Sequence, residues 1–325
     1  MRKIILDCDT GGDDACAIAL AAASKDLELL GVTAVMGNLP LSHTYRNGRE
    51  VIGFLGVDAP VLKGCDMPLI RDYWVGFDGG DEVHTLQFPG NEHVMCPEQE
   101  LGAVEWLAKT LAESDEPVTL VPLAPLTNIA KLMLFYPDLV EEKVDEIVIM
   151  GGGFMFGNST GAAELNIYAD PEAAQVVFSF GKPVVMCGLD VCHKAYITEE
   201  ENTVYEAIDN RAAKLFSGIT GRCFHFEDDF FANDPELKER NRWERPGAII
   251  YDSVPVIYLL HPELFTTIPA NISVECSSDL CYGLTVCDTR NWGPNPTPKV
   301  HKVVMDVDRE GYLKAVEEVL RNSAV

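Results

Sequence analysis

Short apolar runs alternate along this chain with longer segments of helical character. Lys3-Ile4-Ile5-Leu6 predicts a buried first strand, and the Ala-rich stretch from Ala15 to Ala23 predicts a helix behind it. Leu30 to Val35 predicts a second strand, and Leu41 to Leu55 a second helix. Val118 to Val121 predicts a strand followed by a helix from about Thr127, and Glu146 to Met150 and Pro183 to Met186 predict two more strands. Short strands alternating with helices imply βαβ units and a mostly parallel sheet. The stretch 271–310, rich in Val, Thr and Cys, predicts added antiparallel strands at the sheet edge. Ligands on such sheets bind outside the carboxyl ends of the strands. That rule directs attention to the loops at Asp7, Gly37, Leu123 and Gly151.

No internal repeat, low-complexity segment or linker interrupts the pattern, so residues 1–325 read as a single domain. The Gly/Asp-rich stretch Gly76 to Asp81 and the segment Arg222 to Arg245 are the expected mobile loops. Composition narrows the function. Lys and Arg number 25 against 51 Asp and Glu, a formal net charge of -26. Nucleic acid binding rests on cationic side chains neutralising phosphates, so a nucleic acid partner is not expected, and neither is an anionic membrane. After Met1-Arg2-Lys3 only three apolar residues precede Asp7, too few for a secretory core, and no apolar run reaches membrane-span length. The ten cysteines form no CxxC pair and read as reduced thiols of a cytoplasmic protein, with a Cys276–Cys281 hairpin pairing as the alternative.

The candidate chemistry begins at Asp7-Cys8-Asp9-Thr10-Gly11-Gly12-Asp13-Asp14, which holds four carboxylates in eight residues. It follows a strand and opens a helix. Carboxylates this close repel one another, so they share protons or hold a cation, and an all-oxygen donor set favours Ca²⁺ or Mg²⁺ over zinc. Helix capping accounts for Asp13 or Asp14 without a metal, but leaves Asp7 and Asp9 unexplained. A DxD after a first strand also suits a haloacid-dehalogenase-like phosphotransferase. That pattern normally has Thr or Val where this chain has Gly11.

The spacing Asp7, Asp9, Gly11, Asp13, Asp14 resembles the opening signature of the nucleoside hydrolase family, Asp-x-Asp-x-Gly-x-Asp-Asp. Further blocks follow in family order. They are Gly37-Asn38, Pro122 to Asn128, Met150 to Gly153 with Gly157-Asn158, Ala163 to Asn166, Asp170 to Ala174, Gly188 to His193, Tyr251-Asp252 and Tyr282 to Asp288. Cys192 stands where Thr is usual, and Tyr251 where the family commonly has His.

The resemblance implies an α/β fold: an open, mostly parallel Rossmann-like sheet flanked by helices, with extra antiparallel strands toward the C-terminus. It implies hydrolysis of the N-glycosidic bond of ribonucleosides to base and ribose, and a homodimer or homotetramer. By the same resemblance, Asp9, Asp14, Asp252 and the main-chain carbonyl of Leu123 hold Ca²⁺, and Asp9 takes the proton of the attacking water. Asp13, Asn38, Asn158, Glu164, Asn166 and Asp252 face the ribose, and Asp7 orients the metal loop. No Lys or Arg occurs from Ile4 through Ser24 or from Met150 through Gly181, so a nucleotide phosphate finds no basic partner there. A neutral nucleoside is the expected substrate.

The departures concentrate at the base end. The stretch where relatives that act on pyrimidine or mixed nucleosides often carry His-Gly is here Val75-Gly76, beside Tyr73, Trp74 and Phe77. With Tyr251 replacing the second His, aromatic stacking by Trp74, Tyr251 and Trp243 is the expected route, which favours purines. His225 is the candidate acid, and His193 reads as structural. A Ca²⁺-dependent nucleoside-binding protein without catalysis is the alternative.

Overall fold

The computed structural model describes residues 1–72, 94–224, 247–292, 299–323 and 325. The expected mobile loop Gly76 to Asp81 lies outside these residues, as does the segment Arg222 to Arg245 beyond its first three positions. Trp74, Trp243 and His225 lie outside them too.

The described residues form one nine-stranded sheet in the order β3-β2-β1-β4-β5-β6-β9-β7-β8. The strands are β1 (Arg2–Cys8), β2 (Leu27–Ala34), β3 (Val61–Lys63), β4 (Val118–Pro122), β5 (Val144–Met150), β6 (Val184–Cys187), β7 (Phe265–Val274), β8 (Thr285–Asp288) and β9 (His301–Val307). Strands β3 through β9 in that order run parallel, and β7 and β8 add antiparallel pairs at the far edge. The expected antiparallel edge is present with one correction. The 271–310 stretch supplies β8 and the end of β7 as antiparallel strands, but β9 pairs parallel with β6 and sits between it and β7.

The helices are α1 (Gly12–Ala23), α2 (Leu41–Leu55), α3 (Ala103–Glu113), α4 (Thr127–Phe135), α5 (Pro137–Lys143), α6 (Leu165–Ala169), α7 (Pro171–Ser179), α8 (Leu189–Cys192), α9 (Glu199–Glu206), α10 (Arg211–Cys223), α11 (Ser253–Leu260) and α12 (Arg309–Arg321). They cover both faces of the sheet, which is why its central strands are apolar at consecutive positions. Ile4, Leu6, Val148 and Val185 pack on one face with α1, α10 and α11. Ile5, Leu120, Ile147, Ile149 and Met186 pack on the other with α3, α4 and α7. The alternation is the pleat itself: successive side chains point to opposite faces.

Strand order reverses at β1, which has β2 on one side and β4 on the other. The chain runs outward from β1 to β3 and then returns to β4. The carboxyl ends of β1 and β4 therefore flank the topological switch point, the crevice where such sheets bind ligands. The Leu123 N–H donates to the Asp7 carbonyl at 2.8 Å and stitches the two strand ends together.

All ten cysteines are unbridged, so Cys276 and Cys281 are not paired. No helix among the described residues is long and apolar enough to cross a membrane.

Candidate active site

The acidic loop leaves β1 and enters α1 at the switch point. Gly11 caps the helix, and the Asp14 carboxylate reaches back to accept from the Gly11 N–H at 2.9 Å. Negative charge in the first turn also suits the helix dipole. Capping thus employs one oxygen of Asp14. The other, Oδ1, is buried and has no hydrogen-bond partner.

Oxygens of Asp13, Asp14 and Asp252 all lie within 4.8 Å of one another. Asp252 arrives from far along the chain. The segment before it is bridged to the connection between α8 and α9 by reciprocal Ile197–Ala248 hydrogen bonds, each 2.8 Å. Just after it, Ser253 bonds the Ile250 carbonyl and the Tyr312 hydroxyl. Burial is the first cause pushing the Asp252 pKa well up, followed by the charges of Asp13, Asp14, Asp9 and Glu164. Burial and the neighbouring Asp9 and Asp13 push Asp14 up in the same way. Carboxylates stay ionised in such a place only beside positive charge. An orphaned carboxylate oxygen next to two further carboxylates fits a divalent cation, and the donors are hard oxygens throughout.

Asp9 is buried at the end of β1. Its Oδ2 accepts from the Asn38 N–H at 2.5 Å, and burial raises its pKa to about 8. A Cβ at Gly37 would lie 2.0 Å from Asp9 Oδ2, so only glycine lets the loop after β2 close on this carboxylate. Asp7 faces the sheet side of the loop. Its Oδ1 accepts from Thr33 Oγ1 at 2.5 Å and from Asn128 Nδ2 at 2.7 Å, and burial raises its pKa to about 7. Asn128 also donates to the Ala34 carbonyl and accepts from the Cys65 N–H, tying the ends of β1, β2 and β3 to α4.

The glycine loop after β5 closes the opposite wall. Glu164 is buried and caps α6. Its Oε1 accepts from the Asn166 N–H at 2.9 Å, and its Oε2 from Gly152 N–H at 2.8 Å and Ile167 N–H at 3.3 Å. Burial raises its pKa despite these bonds. Asn166 Nδ2 donates to the Leu123 carbonyl at 2.9 Å and to the Met150 carbonyl at 3.1 Å, so it bridges the loops after β4 and β5. Asn158 is exposed, and its Oδ1 accepts from the Leu165 N–H at 2.9 Å.

The structure therefore gathers Asp9, Asp13, Asp14, Leu123, Glu164, Asn166 and Asp252 around the switch point, with Asn38 bound to Asp9 through its main chain. Asp13, rather than Asp9, completes the tightest trio of carboxylate oxygens with Asp14 and Asp252. Tyr251 stands beside Asp252, and its ring meets His193 edge-on at 5.9 Å. Three supports went unread in the sequence: Asn128, Asp190 and Thr285. Asp190 accepts from the Phe154 and Met155 N–H groups at 2.6 and 3.1 Å, and Thr285 Oγ1 accepts from the Gly153 N–H and donates to its carbonyl. Their signal was their place inside the matching blocks, where each is a polar residue among apolar ones.

The family model described as inosine-uridine preferring nucleoside hydrolase matches residues 4–314. The chain is 41% identical over 326 residues to the pyrimidine-specific ribonucleoside hydrolase RihA of Escherichia coli O7:K1 (strain IAI39 / ExPEC), covering 98% of both chains. Among solved structures, the plant nucleoside hydrolase PpNRh1 superposes with a TM-score of 0.83 at 27% identity, over 100% of this chain and 99% of that one. The purine-preferring ribonucleoside hydrolase from Gardnerella vaginalis gives a TM-score of 0.81 at 27% identity, over 98% and 99%. The chain belongs to the nucleoside hydrolase family and is an N-glycosyl hydrolase of ribonucleosides. That membership sets aside the phosphotransferase reading of the acidic loop.

Proposed function

We propose that this family member is a Ca²⁺-dependent hydrolase that favours purine ribonucleosides and releases free base and ribose. The observation that carries the reading is the convergence of half-buried Asp13 with buried Asp14 and Asp252 at the switch point, with Asp9 and Glu164 close enough to raise the pKa of Asp252. Asp9, Asp14, Asp252 and the Leu123 carbonyl would hold the cation, with Asp13 within reach of the same place. Bound there, the cation supplies the positive charge that keeps these carboxylates ionised and makes a nearby water more acidic.

Asp9 is the proton acceptor. Its Oδ2 is held by the Asn38 N–H, which fixes the carboxylate in place. The water oxygen bonds to C1′ as the C1′–N bond breaks; one water proton stays on the new C1′ hydroxyl and the other passes to Asp9, while the departing base takes up a proton from solvent, to which Asp9 afterwards returns its own. Positive charge develops on the ribosyl ring in such a reaction. The surrounding carboxylates favour it, and no Lys or Arg from Ile4 through Ser24 or from Met150 through Gly181 opposes it. Asp13, Asn38, Asn158, Glu164, Asn166 and Asp252 are the ribose-facing set. Asp7, fixed by Thr33 and Asn128, orients the loop.

Two observations pull the base preference apart. Tyr251 in place of His, together with Trp74, favours stacking on a large purine ring and leaves His225 as the side chain able to act as acid. The relatives named pyrimidine-specific, at 41% identity, favour the other reading. We adopt the purine reading because base choice follows the residues at the base end, where this chain departs from the family pattern. Ribose release from inosine, guanosine, uridine and cytidine, with and without a chelator and with Ca²⁺ restored, tests every part. The expected order puts inosine first and calcium restores activity. Uridine as the best substrate replaces the purine reading with the pyrimidine one, and release from none returns the chain to a nucleoside-binding role.

A further inference from the structure

Three rings from three separate loops meet beside Asp252. Phe156 rides on the loop after β5, His193 closes α8, and Tyr251 immediately precedes Asp252. The Phe156 and His193 rings lie 5.2 Å apart at 69°, and the His193 and Tyr251 rings 5.9 Å apart at 66°. Both are edge contacts, in which the positive rim of one ring points at the negative face of the next. The loop bearing Phe156 is firmly held. Asp190 grips the Phe154 and Met155 N–H groups, Thr285 grips Gly153, and a Cβ at Gly153 would lie 2.1 Å from the Phe156 carbonyl. Tyr251 is tethered through its main chain, since the Cys192 thiol donates to its carbonyl at 3.8 Å. His193 is the ring in contact with both neighbours.

We propose that His193 is a positioning residue: it fixes the Tyr251 ring against the base of a bound nucleoside, with Phe156 behind it. The inference rests on reading Tyr251 as a base-facing residue of a ribonucleoside hydrolase. The role is assigned to ring shape and edge contact. A phenyl ring at position 193 therefore preserves it. A small side chain there lets the Tyr251 ring turn, and weakens the part of binding that depends on the base. Cation and ribose contacts lie on other residues and stay intact.

The test uses the full chain and its His193→Ala, His193→Phe and Phe156→Leu variants. Steady-state ribose release from inosine gives kcat and KM separately, calorimetry gives Ca²⁺ affinity, and inhibition by free ribose reports the sugar site. His193→Ala and Phe156→Leu are expected to raise KM by about 5–10-fold, the range expected for one edge contact. Their kcat, Ca²⁺ affinity and ribose inhibition stay at the wild-type level, and His193→Phe keeps the wild-type KM. An unchanged KM in Phe156→Leu or His193→Ala overturns the proposal, as does a His193→Phe enzyme as impaired as His193→Ala. If His193→Ala fails to fold, the other two variants decide by the same criteria. If the wild type releases ribose from no nucleoside, the hydrolase reading fails on its own. Calorimetric binding of inosine against ribose in the same proteins then still reads the ring contact.

Discussion

At the acidic end of the site, Asp7, Asp9, Asp14, Glu164 and Asp252 are all buried. Main-chain N–H groups or neighbouring side chains hold the first four of them through hydrogen bonds. At the proposed base end, Phe156, His193 and Tyr251 are only partly buried and meet through ring edges. The difference follows from what each end must stabilise. Charges in a low-dielectric site cost several kcal/mol unless each is bonded or paired, so their positions are over-determined. A neutral aromatic base asks only for surface of the right shape. The acidic end is therefore expected to break sharply, and the base end to adjust.

The largest effect is expected at Asp252. Asp252→Asn removes a charge from the carboxylate trio, and kcat is expected to fall by about 10³-fold together with Ca²⁺ affinity. Paired calorimetry and ribose-release assays check this, and unaltered cation binding would remove Asp252 from the cation site. Gly37→Ala comes next. Its new Cβ would collide with Asp9 Oδ2, so Asp9 must shift, and a misplacement of that size costs about 10²-fold in kcat. Circular dichroism should show the fold intact, and full activity would mean that Asp9 need not sit where Asn38 holds it.

The third prediction separates the two ends by titration. Asp7 and Asp9 have folded pKa values raised by burial to about 7 and about 8, against 3.8 for the ordinary carboxyl. Between these limits the folded protein holds protons that the unfolded chain has lost. Stability without a cation is therefore full near pH 4 and falls as pH rises toward 7 and 8. The slope is on the order of 1.4 kcal/mol per pH unit for each group. Thermal unfolding in a chelator at pH 5.5 and 7.5 should show the lower pH more stable, and added Ca²⁺ should remove most of the difference. A chelated protein equally stable at both values would contradict it. The smallest effect is at the base end. Tyr251→Leu should raise KM for inosine about fivefold and leave cation affinity unchanged. A loss of cation binding in this variant would show that the two ends are not separable.

Much of this site was legible in the chain. Asp9, Asp13 and Asp14 lie on one strand-to-helix connection, Asp13 and Asp14 in the first turn of α1, and such a connection is short enough for sequence spacing to imply convergence. Asp252 was legible only through its resemblance to a family block, because 238 positions separate it from Asp14. The place of β9, parallel to β6 and antiparallel to β7, was not legible in the 271–310 stretch, which reads only as antiparallel strands at the edge. Its alternating pattern suits an edge or an interior strand alike, and its neighbours β6 and β7 are chosen by tertiary packing.

By itself, the sequence determined the alternation of strands and helices, the two-sided burial of the sheet and the acidic loop, because all three are written in local spacing and polarity. Tertiary structure alone decided that strand order reverses at β1, so that Leu123 closes on Asp7. It also decided that Asp14 spends one oxygen on its helix and keeps the other for the site, and that Asp252 joins it. Those outcomes depend on which strand ends become neighbours and which polar atoms are left unsatisfied once the core is packed, and neither is a property of any short stretch of chain.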